Sequence, residues 1–201
     1  MACLTATVSM QIPSKLKVPD GTLTGSALVL GNGPTRQGHD WSRFQGTTLG
    51  CNLPDVECDW LVGVDRVVSK DLIQKAIESS SLNVIVALWK NLHMVVDRDD
   101  VQNVFFATRD KFSFCAAGFT ATQAAIQMGF DTIYLAGFDW DAPHQKVFWV
   151  DVAAAHAKVI KEAQATGINI YRAYDHGPEA LRFIEVREIE CPNSKEREIA
   201  H

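Results

Sequence analysis

Residues 113–141 read SFCAAGFTATQAAIQMGFDTIYLAGFDWD, and this one stretch holds a helix, a turn and a strand in succession. Small and straight-chain residues from Phe119 to Met128 predict a helix, and Gly129 stands where a residue of positive φ closes it. Thr132–Ala136 is a short apolar run of strand type that breaks into Gly137-Phe138-Asp139. Such a helix-then-strand unit is the building block of a parallel sheet.

The same alternation runs through the chain. Strands are expected at Ala27–Leu30, Thr47–Cys51, Trp60–Val64, Asn83–Ala87, Asn103–Ala107, Thr132–Ala136 and Ile168–Tyr171. Several are unbroken Val/Ile/Leu runs, as strands buried on both faces must be. Helices are expected at Ser69–Ser79, Phe119–Met128 and Asp151–Ala165, with Ser69 as an N-cap and Gly167 closing the third. The fold class is therefore α/β: a Rossmann-like, mostly parallel sheet with helices on both faces, in a single domain. Residues 1–25 read as an N-terminal arm or edge hairpin, 26–186 as the Rossmann-like domain and 187–201 as a polar tail. The small-residue face Thr120, Ala121, Thr122, Ala124, Ala125 suits close packing of a helix on the sheet, and the tryptophans suit core or pocket walls.

Composition narrows the partners. With 201 residues, 47% of them apolar, the chain can bury a full core. A net charge of −5 offers no footprint for a duplex nucleic-acid backbone. Five scattered cysteines have no ligand-type spacing, so reduced thiols are expected and a zinc site is not. No apolar run reaches the roughly 18 to 20 residues that cross a bilayer, and the start lacks the pattern of a secretory signal, so a cytoplasmic location is expected.

In open parallel sheets, ligands lie beyond the carboxyl ends of the strands. The first strand, in SALVLGNGPTRQGHD (26–40), ends in Gly31-Asn32-Gly33, whose bare backbone allows close approach by a ligand. It is neither a dinucleotide fingerprint, since the third glycine comes late at Gly38, nor a P-loop, since no Gly-Lys-Ser/Thr follows. The second strand ends in Cys51-Asn52, the third near Asp65, and the sixth in Gly137-Phe138-Asp139. A small or polar group thus stands at the end of each.

Together, GNGPT, the CN after the second strand and AAGFTATQAAIQMGFDTIYLAGFDW resemble bacterial lipooligosaccharide sialyltransferases and the wider superfamily of 6-hydroxymethylpterin diphosphokinase-like proteins. With NIYRAYDHGPEALRFIEV the resemblance spans roughly residues 26–186. It implies a nucleotide or nucleotide-sugar ligand held by Asn32, Gly33, Thr35 and Asn52. Gly118 would open a helix toward phosphate, and Asp139 would shape the pocket. The family's catalytic histidine lies between the Gly-x-Asp strand end and the next helix, an interval where this chain offers His144, with His156 already inside the helix.

Two departures stand out. Ala117 replaces the family's Ser before the helix glycine, and of the closely spaced Asp pair in the diphosphokinase-like relatives only Asp65 is present, as a ligand residue or a helix cap. Three functions follow from the resemblance. The leading one is a CMP-sugar glycosyltransferase with His144 as base and no metal or other cofactor. The others are an ATP- and Mg²⁺-dependent diphosphokinase of a pterin or other small alcohol, and a nucleotide-binding protein without catalysis.

Overall fold

The computed structural model describes residues 12–36, 39–52, 57–87, 90–108, 111–112, 116–138 and 148–173. Seven strands form one sheet: β1 (Ser26–Leu30), β2 (Thr47–Cys51), β3 (Trp60–Gly63), β4 (Asn83–Ala87), β5 (Val104–Ala107), β6 (Thr132–Ala136) and β7 (Asn169–Arg172). Their order is β5-β4-β3-β2-β1-β6-β7, and every pairing is parallel. The chain steps from β1 out to one edge and then returns to the other side of β1 as β6. The direction of winding therefore reverses between β1 and β6, where the connecting segments part.

Helices cover both faces. On one, α1 (Arg66–Glu78) packs Leu72, Ile73 and Ala76 against Leu61, Val84 and Val86. On the other lie α2 (Ala117–Met128) and α3 (Phe148–Ala165), whose Ala121, Ala125, Ala157 and Ile160 meet Val29, Leu49, Val62 and Leu135. Alternate strand residues serve opposite faces, so Ala27 and Val29 join one cluster while Leu28 and Leu30 join Trp41 in another. Burial on both sides is why several strands, such as residues 27–30 and 84–87, are unbroken apolar runs. The small residues of α2 are buried and let it lie across β1, β2, β3 and β6. Gly129 and Gly167 both have φ +98°, the left-handed conformation that ends α2 and follows α3. Trp41 and Trp60 are core residues.

The boundaries differ in one instructive place. The sequence puts the N-cap of the first helix at Ser69, but α1 starts at Arg66 and Asp65 occupies the N-cap position. Ser69 is fully buried inside the helix and its Oγ donates to the Gly63 carbonyl at 3.2 Å. β-branched Val67 and Val68 favour an extended chain locally, and the packing of Val68 and Leu72 over Gly63 overrides that preference. The helices α2 and α3 likewise begin slightly before Phe119 and Asp151. Ahead of β1, Lys17 bridges to Phe106 at the β5 edge, and the Gly21 and Leu23 amides donate to the carbonyls of Gln127 and Met128, each at 2.8 Å. No helix among the described residues is long and apolar enough to cross a membrane.

One side chain ties α1 to the sheet. Buried Asn103 donates from Nδ2 to the carbonyls of Ala76, Ser79 and Leu82 at 2.9, 3.0 and 2.6 Å, joining the end of α1 and the turn into β4 to the start of β5. Replacing it leaves buried carbonyls without their donor, and Asn103→Ala is expected to cost about 2 kcal/mol in urea unfolding.

Candidate functional site

At the carboxyl edge, β1 and β6 are locked together beyond their last residues. The Gly31 amide donates to Ala136 O and the Gly33 amide to Gly137 O, each at 2.8 Å. Gly137 has φ +73°, and a Cβ there would stand 2.7 Å from the Gly31 carbonyl oxygen. A Cβ on Gly31 would strike the Gly137 carbonyl in turn. Gly31, the first glycine of the opening turn, thus has a structural cause, since two backbones cross where side chains would be. Asn32 projects at the exposed tip of that turn, Gly33 is half-buried, and Pro34–Arg36 form a single 3₁₀ turn. The side chain of Thr35 lies outside the described residues.

Asn52 follows β2 with φ +61°, a conformation that asparagine tolerates better than most residues. Its amide donates to Val62 O at 2.7 Å, while its Oδ1 is enclosed and has no hydrogen-bond partner among the described residues. An enclosed acceptor without a donor costs about 1–3 kcal/mol, which a ligand N–H or O–H can repay.

The first turn of α2 packs on the residue before it, Cys51. Gly118 is the second residue of α2, and a Cβ on it would fall 3.7 Å from Cys51 Sγ, the residue next to Asn52. The N-cap position is Ala116, with no side-chain cap and no acidic residue in the first turn. No capping side chain among the described residues meets the leading amides of α2, and the helix dipole favours an anion there.

Arg36 adds positive charge near the β2 end. Burial pushes the Cys51 thiol up to about 12, aided by Cys58 and opposed by Arg36. Cys58 is pushed to about 11 by burial and then by Asp59, against Thr48 and Arg36. Both thiols stay protonated at neutral pH and are poor nucleophiles or metal ligands. Asp65 is exposed; its backbone carbonyl accepts from the Ser69 amide at 2.8 Å, while its carboxylate makes no cap bond. Capping therefore does not consume this carboxylate. Asp139 and His144 lie outside the described residues.

Two residues that the sequence did not single out contribute here. Phe138, buried after β6, carries one ring edge to within 3.3 Å of a Cβ built on Gly31 and another to within 2.8 Å of one built on Gly118. It spaces the glycine crossing from α2. Arg172 is a buried cation at the end of β7, in register with Leu135. An arginine closing the otherwise strand-like INIYR was the available signal. His156, by contrast, is wholly buried behind Phe138, and burial lowers its pKa to about 3. It is no general base at neutral pH.

Comparison with known proteins follows the same lines. No family model matches the chain, and no curated protein matches it in sequence. Solved structures share its fold. They include the sialyltransferase CstII from Campylobacter jejuni in complex with the substrate analogue CMP-3FNeuAc, at 16% identity over 85% of this chain and 87% of that one, with a TM-score of 0.51. Another is CST-II in complex with a trisaccharide acceptor and CMP, at 16% identity, 84% and 90% coverage, and a TM-score of 0.53. A point mutant of α-2,3/8-sialyltransferase CstII matches at 15% identity, 84% and 91% coverage, and a TM-score of 0.52. The protein has the parallel α/β fold of these sialyltransferases.

Two measurements check the geometry. Gly31→Ala forces the β1–β6 crossing apart and is expected to lower stability by about 3 kcal/mol in urea unfolding. For His156 the folded pKa is depressed, so its neutral form is fully accommodated above its unfolded value of about 6.5. As pH falls from there toward 3, the unfolded chain binds a proton that the folded chain refuses. Stability should drop across that window by about 1.4 kcal/mol per pH unit more in the wild type than in His156→Gln, read from unfolding at stepped pH.

Proposed function

We propose that the protein is a sialyltransferase-like glycosyltransferase that binds a CMP-activated sugar at the carboxyl ends of β1, β2 and β3. The observation that carries this reading is the unpartnered Oδ1 of Asn52 at the end of β2, next in sequence to Cys51, on which the uncapped first turn of α2 packs. One invites a hydrogen-bond donor, the other an anion, and a nucleoside monophosphate ester presents both. The likeness in fold to enzymes solved with CMP and a CMP-sugar analogue supports the same choice.

In this reading the phosphate meets the leading amides of α2, with Arg36 adding positive charge on the β2 side. Asn52 Oδ1 accepts from the cytosine amine or a ribose hydroxyl, and Asn32, Gly33, Thr35 and Asp65 line the remaining nucleotide and sugar contacts. The acceptor hydroxyl oxygen attacks the anomeric carbon, the bond from that carbon to the phosphate oxygen breaks, and CMP departs with the electron pair. The hydroxyl proton passes to a general base. His156 is buried and resists protonation, so the base falls to His144, between β6 and α3. Asp139, five residues before it, shapes the pocket. A departing monophosphate met by helix amides and a guanidinium needs no metal for its charge, and metal-independent turnover is the expectation.

Thermal denaturation with ligands tests this directly. CMP or CMP-sialic acid at about 100 times Kd should raise Tm by about 5–10 °C, in the presence of EDTA. Asn52→Gly removes the carboxamide while keeping the left-handed backbone accessible, and it should lose most of the shift. A response only to ATP with Mg²⁺ would overturn the reading in favour of diphosphoryl transfer to a small alcohol, and indifference to every nucleotide would overturn it outright.

A further inference from the structure

His156 is an odd residue to bury. A helix facing a sheet is filled more cheaply by leucine or phenylalanine, because a polar ring taken from water must recover its hydrogen bonds. It lies fully enclosed in α3, its ring stacked on Phe119 at 5.0 Å and 29° and tilted against Phe138 at 5.5 Å. Its Nε2 is 3.0 Å from Thr122 Oγ1, and Thr122 Oγ1 donates to the Gly118 carbonyl, also at 3.0 Å. A hydroxyl has one proton, and a carbonyl can only accept. With that proton directed to Gly118, His156 must donate from Nε2, which sets its tautomer. The bonds run one way, from His156 through Thr122 to the first turn of α2.

The two rings described against this imidazole, Phe119 and Phe138, also touch the site. Phe119 is itself in the first turn of α2, and Phe138 spans the gap between Gly118 and the Gly31–Gly137 crossing. A neutral imidazole at this junction therefore holds three things in one arrangement: the α2 terminus, the β6 exit and, through Phe138, the turn after β1.

We propose that His156 is a positioning residue for the anion-holding turn of α2. Its Nε2–H, relayed by Thr122 Oγ1 to the Gly118 carbonyl, its stack on Phe119 and its tilted contact with Phe138 fix the amides of residues 117–119 over the end of β2. The ligand part of this inference rests on the nucleotide reading above; the ordering of the turn does not.

The test compares three variants of the full chain. His156→Gln retains an N–H donor near the Nε2 position, His156→Leu retains bulk without a donor, and Thr122→Val removes the relay oxygen at nearly constant volume. CMP titration by calorimetry in EDTA should give affinity within about threefold of wild type for His156→Gln and at least about tenfold weaker binding for the other two, the scale of one lost hydrogen bond. In the ligand-free protein, hydrogen exchange at the amides of 120–123 should quicken by about tenfold in His156→Leu and Thr122→Val and stay near wild type in His156→Gln, with the sheet amides unchanged. Folded His156→Leu or Thr122→Val protein that binds CMP and exchanges like wild type would overturn the proposal. Should the wild type bind no nucleotide, the nucleotide reading and the ligand part fail together. Exchange then decides the ordering of the turn, upheld by quickening that His156→Gln rescues and overturned by its absence. If His156→Leu does not fold, Thr122→Val decides both measurements.

Discussion

The crossing of Gly31 and Gly137 is the contact on which the site depends. Two parallel strands end side by side at the point where the winding reverses, and their backbones run so close that the carbonyl of one fills the place of a Cβ on the other. The amides of Gly31 and Gly33 are spent on this junction. Beyond it the chain parts: after β1 it supplies Trp41 to the face of Leu28 and Leu30, while after β6 it puts Phe138 against α2 on the other. Phe138 makes the junction a spacer, because its ring touches both the crossing and Gly118. The distance between the opening turn and the α2 terminus is therefore set by one aromatic ring and not by a flexible loop.

Charge shows a similar local logic. A chain of net charge −5 has no field to gather a polyanion, yet a single phosphate needs only a place where donors converge. An uncapped helix terminus beside a strand end, with Arg36 nearby, is such a place. Its fixed dipoles lie at the end of a rigid sheet, so little ordering remains to be done when a ligand arrives. The buried thiols of Cys51 and Cys58 stay neutral and do not oppose it.

His156 shows why a residue type is an unreliable guide to its role. Seen in sequence between a Gly-x-Asp strand end and a β-strand, it stands close to where a catalytic base belongs. In the fold it is buried with its ring on Phe119 and Phe138 and its Nε2 on the Thr122 hydroxyl, and burial rejects the charged form. The chemistry available to an imidazole was decided by what packed around it, and sequence spacing carries no information about that.

What the amino-acid order determined by itself was the sheet, because burial on both faces favours short apolar runs, and the positive-φ positions Gly129 and Gly167 punctuate the helices between them. All seven strands and three helices were legible on that ground. So was the carboxyl edge as the place for polar and bare residues, from Asn32 and Asn52 to Asp65 and Gly118. The tertiary structure decided the rest. It began α1 at Arg66 by packing Val68 and Leu72 over Gly63, against the local preference of two valines. It turned Gly31 toward Gly137, set Phe138 as a wedge, left Asn52 Oδ1 enclosed without a donor and sealed His156 among rings. Each of these depends on contacts between residues distant in the chain. Periodicity reports which face of an element is buried, but only the assembled sheet reports what it is buried against.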